Sequence, residues 1–116
     1  MLAISVAGGD LQDQTALQVL LNVVEFGMDP DKAVTAPRFS TAHHVGSFNQ
    51  TKPELGSLTV YKSIGQQVIK ELKERGHIVK EVAGVIGHPV AIAVDPRTSE
   101  KRIAGDGLAG RHVAAN

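Results

Sequence analysis

Ser5-Val6-Ala7-Gly8-Gly9-Asp10, with the apolar run that follows from Gln14 to Glu25, decides how this chain folds. The start, Leu2-Ala3-Ile4, reads as a short buried strand. Gly8-Gly9 then turns the backbone, and Asp10 to Asp13 lead into a periodic helix. A strand that feeds two glycines and then a helix N-terminus presents bare backbone N–H groups to a nearby anion or carbonyl oxygen. Such a turn can cradle a phosphate, form half of an oxyanion hole, or serve as a tight connection. A lone Gly-Gly does not separate these.

Working outward, Leu17, Leu20, Leu21 and Val24 recur at helical spacing and predict the core-facing stripe of that helix. Val19, Val23 and Phe26 widen the apolar surface, so the helix calls for cover on most sides, from a layered fold or a partner chain. Gly27 stands where a left-handed C-terminal cap belongs. Asp29-Pro30 opens a brief helix to about Thr35, because Pro37 disfavours helical geometry at Ala36. Arg38 to Ala42 suggests a short strand and His43 to Gly56 a long loop.

Leu58-Thr59-Val60 suggests another strand, and Ser63-Ile64-Gly65-Gln66 reads as a capping box. The helix it opens carries Ile64, Val68, Ile69 and Leu72 on one face, a Glu71–Arg75 pair, and Gly76 at its end. His77 to Val82 is strand-like, and Gly84 to Gly87 a turn. The continuous apolar run Pro89 to Val94 predicts a strand buried on both faces. Asp95 to Ser99 turns the chain into a hairpin whose second strand is Lys101 to Ala104. Helices alternating with these pairings predict an α/β or α+β domain spanning residues 1–116, its mixed sheet including an antiparallel hairpin.

With 116 residues, the chain is one domain or part of one. Twelve basic residues balance twelve acidic ones, which gives no footprint for nucleic acid. Only 3% of residues are aromatic, so the core rests on Val, Ile, Leu and Ala. Without cysteine there is no disulfide, thiolate metal site or cysteine nucleophile. No run reaches the length of a membrane span.

Single residues carry less. His43-His44 are adjacent and point apart on an extended chain, and His77, His88 and His112 are isolated, so the histidines read as structural or solvated. Asp10 and Asp13 cap and charge the helix start. Thr15, Thr35, Thr41 and Thr51 are nucleophiles only if a base activates them. Arg38 can clamp a carboxylate, form a buried salt bridge, or stand as a rim charge.

Four stretches, taken in order, say more than any one of them. Ala7-Gly8-Gly9-Asp10, Leu17 to Met28 (LQVLLNVVEFGM), Ala33 to Phe39 (AVTAPRF) and Leu72 to His77 (LKERGH) resemble the gamma-glutamyltranspeptidase family. The resemblance is to the C-terminal portion of its small, catalytic subunit, and it covers nearly the whole chain. It implies part of an N-terminal nucleophile hydrolase fold, a four-layer α-β-β-α sandwich.

It also implies chemistry. In that family a precursor cleaves itself to free a threonine, which attacks a gamma-glutamyl amide with its own α-amino group as base. The acyl group then passes to water or an acceptor amine. The family's adjacent glycines bind the oxyanion through backbone N–H groups, a role that falls here to Gly8 and Gly9. Two preorganised donors are worth roughly 3 kcal/mol each in comparable holes.

Several features depart from the family. Ala7 replaces the family's proline, and Asp-Pro-Arg survives only as Asp106-Gly107-Leu108. The nucleophilic threonine and the residues that hold the substrate's α-carboxylate and α-amino group are expected upstream of Met1. The resemblance thus implies a missing upstream partner region and a small gamma-glutamyl substrate, while the apolar helix offers self-association as the alternative and the residues suggest no cofactor or metal. It fits a divergent relative, cephalosporin-acylase-like among others. Family members are commonly exported, which implies a periplasmic or secreted parent, while the residues leave a cytoplasmic one open. A stand-alone assembly or interaction module of the same fold is the non-enzymatic alternative.

Overall fold

The computed structural model describes residues 1–114. Its strands are β1 (Leu2–Ala7), β2 (Phe39–Ser40), β3 (Ser57–Tyr61), β4 (Ile78–Val82), β5 (His88–Val94) and β6 (Lys101–Gly105). Its α-helices are α1 (Leu11–Val24), α2 (Pro30–Thr35) and α3 (Gln66–Glu74). They form two compact units, one of Met1–Ala36 with the chain from Gly87 onward, the other of Pro37–Ile86.

In the first unit β1, β5 and β6 form an antiparallel sheet in that order, with Ile4 opposite Ala91 and Ala91 opposite Ala104. Helices α1 and α2 cover the face that carries Ile4, Ala91 and Ala104. The core there is Val19, Ala33, Val34, Ala91 and Ala104, with Ile4, Val23 and Met28 packed on it. The local signals around α2 hold. Asp29 and Ala36 bound it with extended ψ, and Pro30 is its first residue. Gly27 is left-handed at φ 64, and Met28 N donates to Asn22 O at 2.9 Å, closing α1 as a glycine cap does.

Three expectations about this unit need correction. Helix α1 begins at Leu11, because Leu11 N and Gln12 N already bond back to Gly8 O and Gly9 O. The stripe expected in the core is outside: Leu17, Leu20, Leu21 and Val24 are 56, 42, 43 and 68% exposed, while Thr15 and Val19 are buried. The helix has two apolar arcs, and the sheet takes the one with smaller side chains, which lets α1 approach closely. Neither strand is buried as expected. β1 runs six residues with alternating exposure, and in β5 only Pro89 and Ala91 are buried while Ile92 is 44% exposed. One face of this sheet is covered among the described residues.

In the second unit β3 pairs antiparallel with β2 and parallel with β4, and α3 makes the crossover a parallel pair requires. Ile69 is the buried anchor of α3. The capping box is not formed. Ser63 lies in a 3-10 turn, Lys62–Ile64, and Gly65 at φ 102 holds the N-cap position without a side-chain bond. Nor does Glu71 meet Arg75: it accepts from Gln67 at 2.8 Å, and the ion pair on this helix is Lys70–Glu74 at 3.8 Å. The stretch from His43 to Gly56 is loop, as expected, tied by Gly46 N to Thr51 O and Glu54 N to Ala42 O.

Candidate functional site

The Gly8-Gly9 turn joins the last paired residue of β1, Ala7 opposite His88, to the first turn of α1. Gly8 has φ 142 and Gly9 φ 57, both outside the range that side chains accept readily. A Cβ on Gly8 would also stand 3.4 Å from Leu11 Cβ. Their carbonyls are spent: Gly8 O accepts from Leu11 N at 3.1 Å and Gly9 O from Gln12 N at 2.9 Å. Their N–H groups are not, since neither donates to another described residue. Gly8 is exposed and Gly9 half-buried. Two adjacent free donors at the positive end of a 14-residue helix suit an anion or a developing oxyanion.

Beneath the turn lies a contact that sequence reasoning missed. Gly87, left-handed at φ 69, packs so tightly on Thr15 that a Cβ there would overlap Thr15 Oγ1 and stand 3.0 Å from its Cβ and Cγ2. Thr15 Oγ1 is itself buried without a hydrogen-bond partner among the described residues. A side chain on Gly8 would reach Gly87 Cα at 3.7 Å. Gly87 and Thr15 therefore set the height at which the start of α1, and with it the glycine turn, rides over β5. The only sequence signal was a glycine in a turn, which names no partner.

The other candidates settle into structural roles. Asp10 occupies the N-cap position of α1 but makes no side-chain cap bond; its carbonyl accepts from Gln14 Nε2 at 3.2 Å. Asp13 lies exposed in the first turn. Thr15 is fully buried and meets no substrate. Thr35 Oγ1 donates to Asp31 O and Thr41 Oγ1 to Ser57 O, each at 2.7 Å, and Thr51 is exposed on the loop.

Arg38 is not a rim charge. It is fully buried, and its Nε donates to Ile86 O at 2.8 Å and its Nη2 to Tyr61 Oη at 3.0 Å. The guanidinium also lies 5.4 Å from the Tyr61 ring centroid. Tyr61 Oη accepts a second bond, from Ile86 N at 3.0 Å, so the three residues form one closed tie inside the second unit.

His43 Nδ1 accepts from Gly56 N at 2.9 Å, closing the base of the loop. His88 Nδ1 lies 3.0 Å from Ala109 O, which can only accept, so this nitrogen carries the proton. His44, His77 and His112 are exposed. No group of three His, Asp or Glu side chains among the described residues could hold a metal. Asp106 is buried and accepts from Leu108 N at 3.0 Å, capping the 3-10 turn Gly107–Ala109. Among the described residues no helix is long and apolar enough to cross a membrane.

Comparison with known proteins bears on the family of the chain. The family model described as gamma-glutamyltranspeptidase matches residues 1–112. The glutathione hydrolase-like YwrD proenzyme of Bacillus subtilis (strain 168) is 30% identical over 91 residues, which is 76% of this chain and 16% of that protein. The gamma-glutamyltranspeptidase of Pseudomonas nitroreducens matches with TM-score 0.76 at 26% identity, over 99% of this chain and 54% of that one. The cephalosporin acylase of Bacillus halodurans matches with TM-score 0.75 at 26% identity, over 90% of this chain and 18% of that one. The chain thus spans well under two thirds of each. Its mixed α/β class, part of an N-terminal nucleophile hydrolase architecture, is the one these neighbours carry. With a family match over nearly every residue and a fold shared with its solved members, the chain belongs to the gamma-glutamyltranspeptidase family.

Proposed function

We propose that this chain is a segment of a gamma-glutamyltransferase- or hydrolase-like enzyme, and that it supplies the oxyanion-binding turn, Gly8-Gly9. The substrate class is a gamma-glutamyl amide such as glutathione. The observation that carries the reading is the pair of adjacent N–H groups, at the N-terminus of α1, that no described residue accepts. When a hydroxyl attacks an amide carbonyl, the C=O π pair becomes an oxyanion. Two donors with no acceptor of their own can stabilise that charge. Collapse of the intermediate expels the amine, which takes the proton, and leaves an acyl-enzyme for water or a second amine.

In this reading the nucleophile lies in a further polypeptide region, as the family resemblance implies, and none of Thr15, Thr35, Thr41 or Thr51 is hydrogen-bonded to Gly8 or Gly9. Residues 1–116 act as one domain of the larger enzyme. The isolated chain should therefore give no turnover of a gamma-glutamyl anilide above the uncatalysed rate, and turnover would refute the assignment of the nucleophile. The glycine turn is tested by grafting the chain in place of the matching segment of the Pseudomonas nitroreducens enzyme. In an active graft, Gly8→Ala or Gly9→Ala should lower kcat by about 100-fold or more with KM little changed. Unchanged kcat in both variants would remove the oxyanion role.

A second reading is a non-catalytic assembly module of the same fold. The exposed apolar arc of α1 favours it, and a graft inactive with all substrates would leave it standing.

A further inference from the structure

The last rung of the β1–β5 ladder is Ala7 opposite His88, and the chain leaves it directly into Gly8-Gly9. The end of a ladder frays unless something beyond the ladder holds it. Here each face of the sheet supplies a hold. On the side of the helices, Gly87 lies against Thr15. Side chains alternate along a strand, so His88, three residues from the buried Ala91, projects from the opposite face. Gly105, next to the buried Ala104, is turned the same way.

On that opposite face the chain after β6 folds back. Asp106 N donates to Pro89 O at 3.3 Å, and Asp106 O accepts from Ala109 N at 3.0 Å and Arg111 N at 2.9 Å. The buried Asp106 carboxylate accepts from Leu108 N, which fixes the turn from within. The segment then passes over Gly105, where a Cβ would overlap Arg111 O and stand 3.2 Å from Val113 Cγ1. Further along the same face Ile92 is left exposed, so the hold acts at this end of the sheet. The half-buried imidazole of His88 joins the fold-back to the rung, its Nδ1–H donating to Ala109 O at 3.0 Å.

We propose that His88 is a positioning residue for the glycine turn. Its Nδ1–H ties the fold-back to the last rung, and the tied rung keeps the two N–H donors of Gly8 and Gly9 in place. The inference rests on the oxyanion reading of that turn and adds to it a residue that touches no substrate. Donors act on a developing charge only when held within about 0.5 Å of the productive geometry. A misplacement of about 1 Å costs roughly 100-fold in rate. The loss falls on kcat, because the oxyanion forms in the transition state and not in the bound substrate.

The test uses the isotopically labelled 116-residue chain and reads backbone order by amide NMR relaxation. In the unsubstituted chain Ala7, Gly8 and Gly9 should be as ordered as the middle of α1, with order parameters near about 0.85. In His88→Leu they should fall toward about 0.6 while α1 is unchanged. Two further variants tell which ring nitrogen matters. The Asn amide nitrogen stands the same number of bonds from Cβ as Nδ1, and the Gln amide nitrogen the same number as Nε2. His88→Asn should therefore recover the order, and His88→Gln should not. These two are close in size and polarity, which keeps the comparison readable if leucine disturbs the fold. Gly105→Ala, which lifts the fold-back without altering His88, should loosen the same three residues. In an active graft His88→Leu should lower kcat about tenfold or more with KM within about twofold, and Asn should recover most of it. Unchanged order in both His88→Leu and Gly105→Ala would overturn the proposal. So would recovery by Gln and not by Asn, or a graft in which only KM moves. Failure of the oxyanion reading is seen separately: Gly8→Ala and Gly9→Ala would leave kcat unchanged while the order-parameter results stand.

Discussion

Gly87→Ala is the sharpest probe of how the glycine turn is held. Gly87 is left-handed, and an alanine in that region costs about 1–2 kcal/mol. The new Cβ also overlaps Thr15 Oγ1 and crowds Thr15 Cβ and Cγ2 at 3.0 Å, an overpacking worth about 1–3 kcal/mol. Alanine regains about 0.5 kcal/mol by stiffening the unfolded chain. The net loss should be about 2–4 kcal/mol, a large part of the stability of a domain this size. In a Thr15→Ala background the hydroxyl and methyl are gone, the backbone cost and the 3.0 Å Cβ contact remain, and the loss should fall to about 1–2 kcal/mol.

The assay is urea unfolding of the four proteins of this cycle, followed by far-ultraviolet circular dichroism. Tyr61 fluorescence provides a separate probe of the second unit, and coincident transitions license two-state treatment. Equal losses in the two backgrounds, within about 0.5 kcal/mol, would mean that Gly87 and Thr15 do not press on each other as described.

The same hydroxyl gives a second expectation. Thr15→Val keeps the shape and removes an unbonded buried oxygen, so the chain should gain about 1 kcal/mol; a loss of that size would reveal a partner for Oγ1. In the second unit, Arg38→Met should cost about 2–4 kcal/mol and Tyr61→Phe about 1–3, since each strands buried polar groups. The double variant should lose less than the sum in the same urea assay, and full additivity would count against a closed tie. Hydrogen bonds from Lys73 first and Gln66 second hold the Glu81 carboxyl below its ordinary value. A lowered carboxyl stabilises the fold at pH above its unfolded value and loses that contribution as pH falls through its folded one. Lys73→Met should raise the Glu81 midpoint in an NMR titration and flatten this acid loss, and an unmoved midpoint would dismiss the 3.2 Å contact.

Much of the chain was readable because its signals are local. A helix start at Asp29-Pro30, a stop at Gly27, a hairpin at Asp95 to Ser99 and a strand–Gly-Gly–helix unit each depend on a few neighbouring residues, and backbone sterics decide them before any packing. The ordered motifs supplied the family in the same way. Where tertiary structure chose between local options, sequence could not anticipate it. Ser63 offered a cap and Gly65 took the position, because a left-handed residue was needed to leave the 3-10 turn. Glu71 had two helical neighbours in reach and met Gln67.

The largest surprise is α1. Its pattern holds two apolar arcs, and periodicity alone favours the larger side chains of Leu17, Leu20, Leu21 and Val24. The sheet selected Thr15 and Val19 instead, since close approach over Gly87 demands small or β-branched side chains at the contact. By itself, then, the sequence determined the elements, their order, the family and the glycine turn, all properties of short stretches and their succession. The tertiary structure alone decided which face of α1 is buried and what holds Gly8 and Gly9 in place. Burial is settled between segments far apart in the chain, and no local pattern encodes which of two workable faces will find a partner.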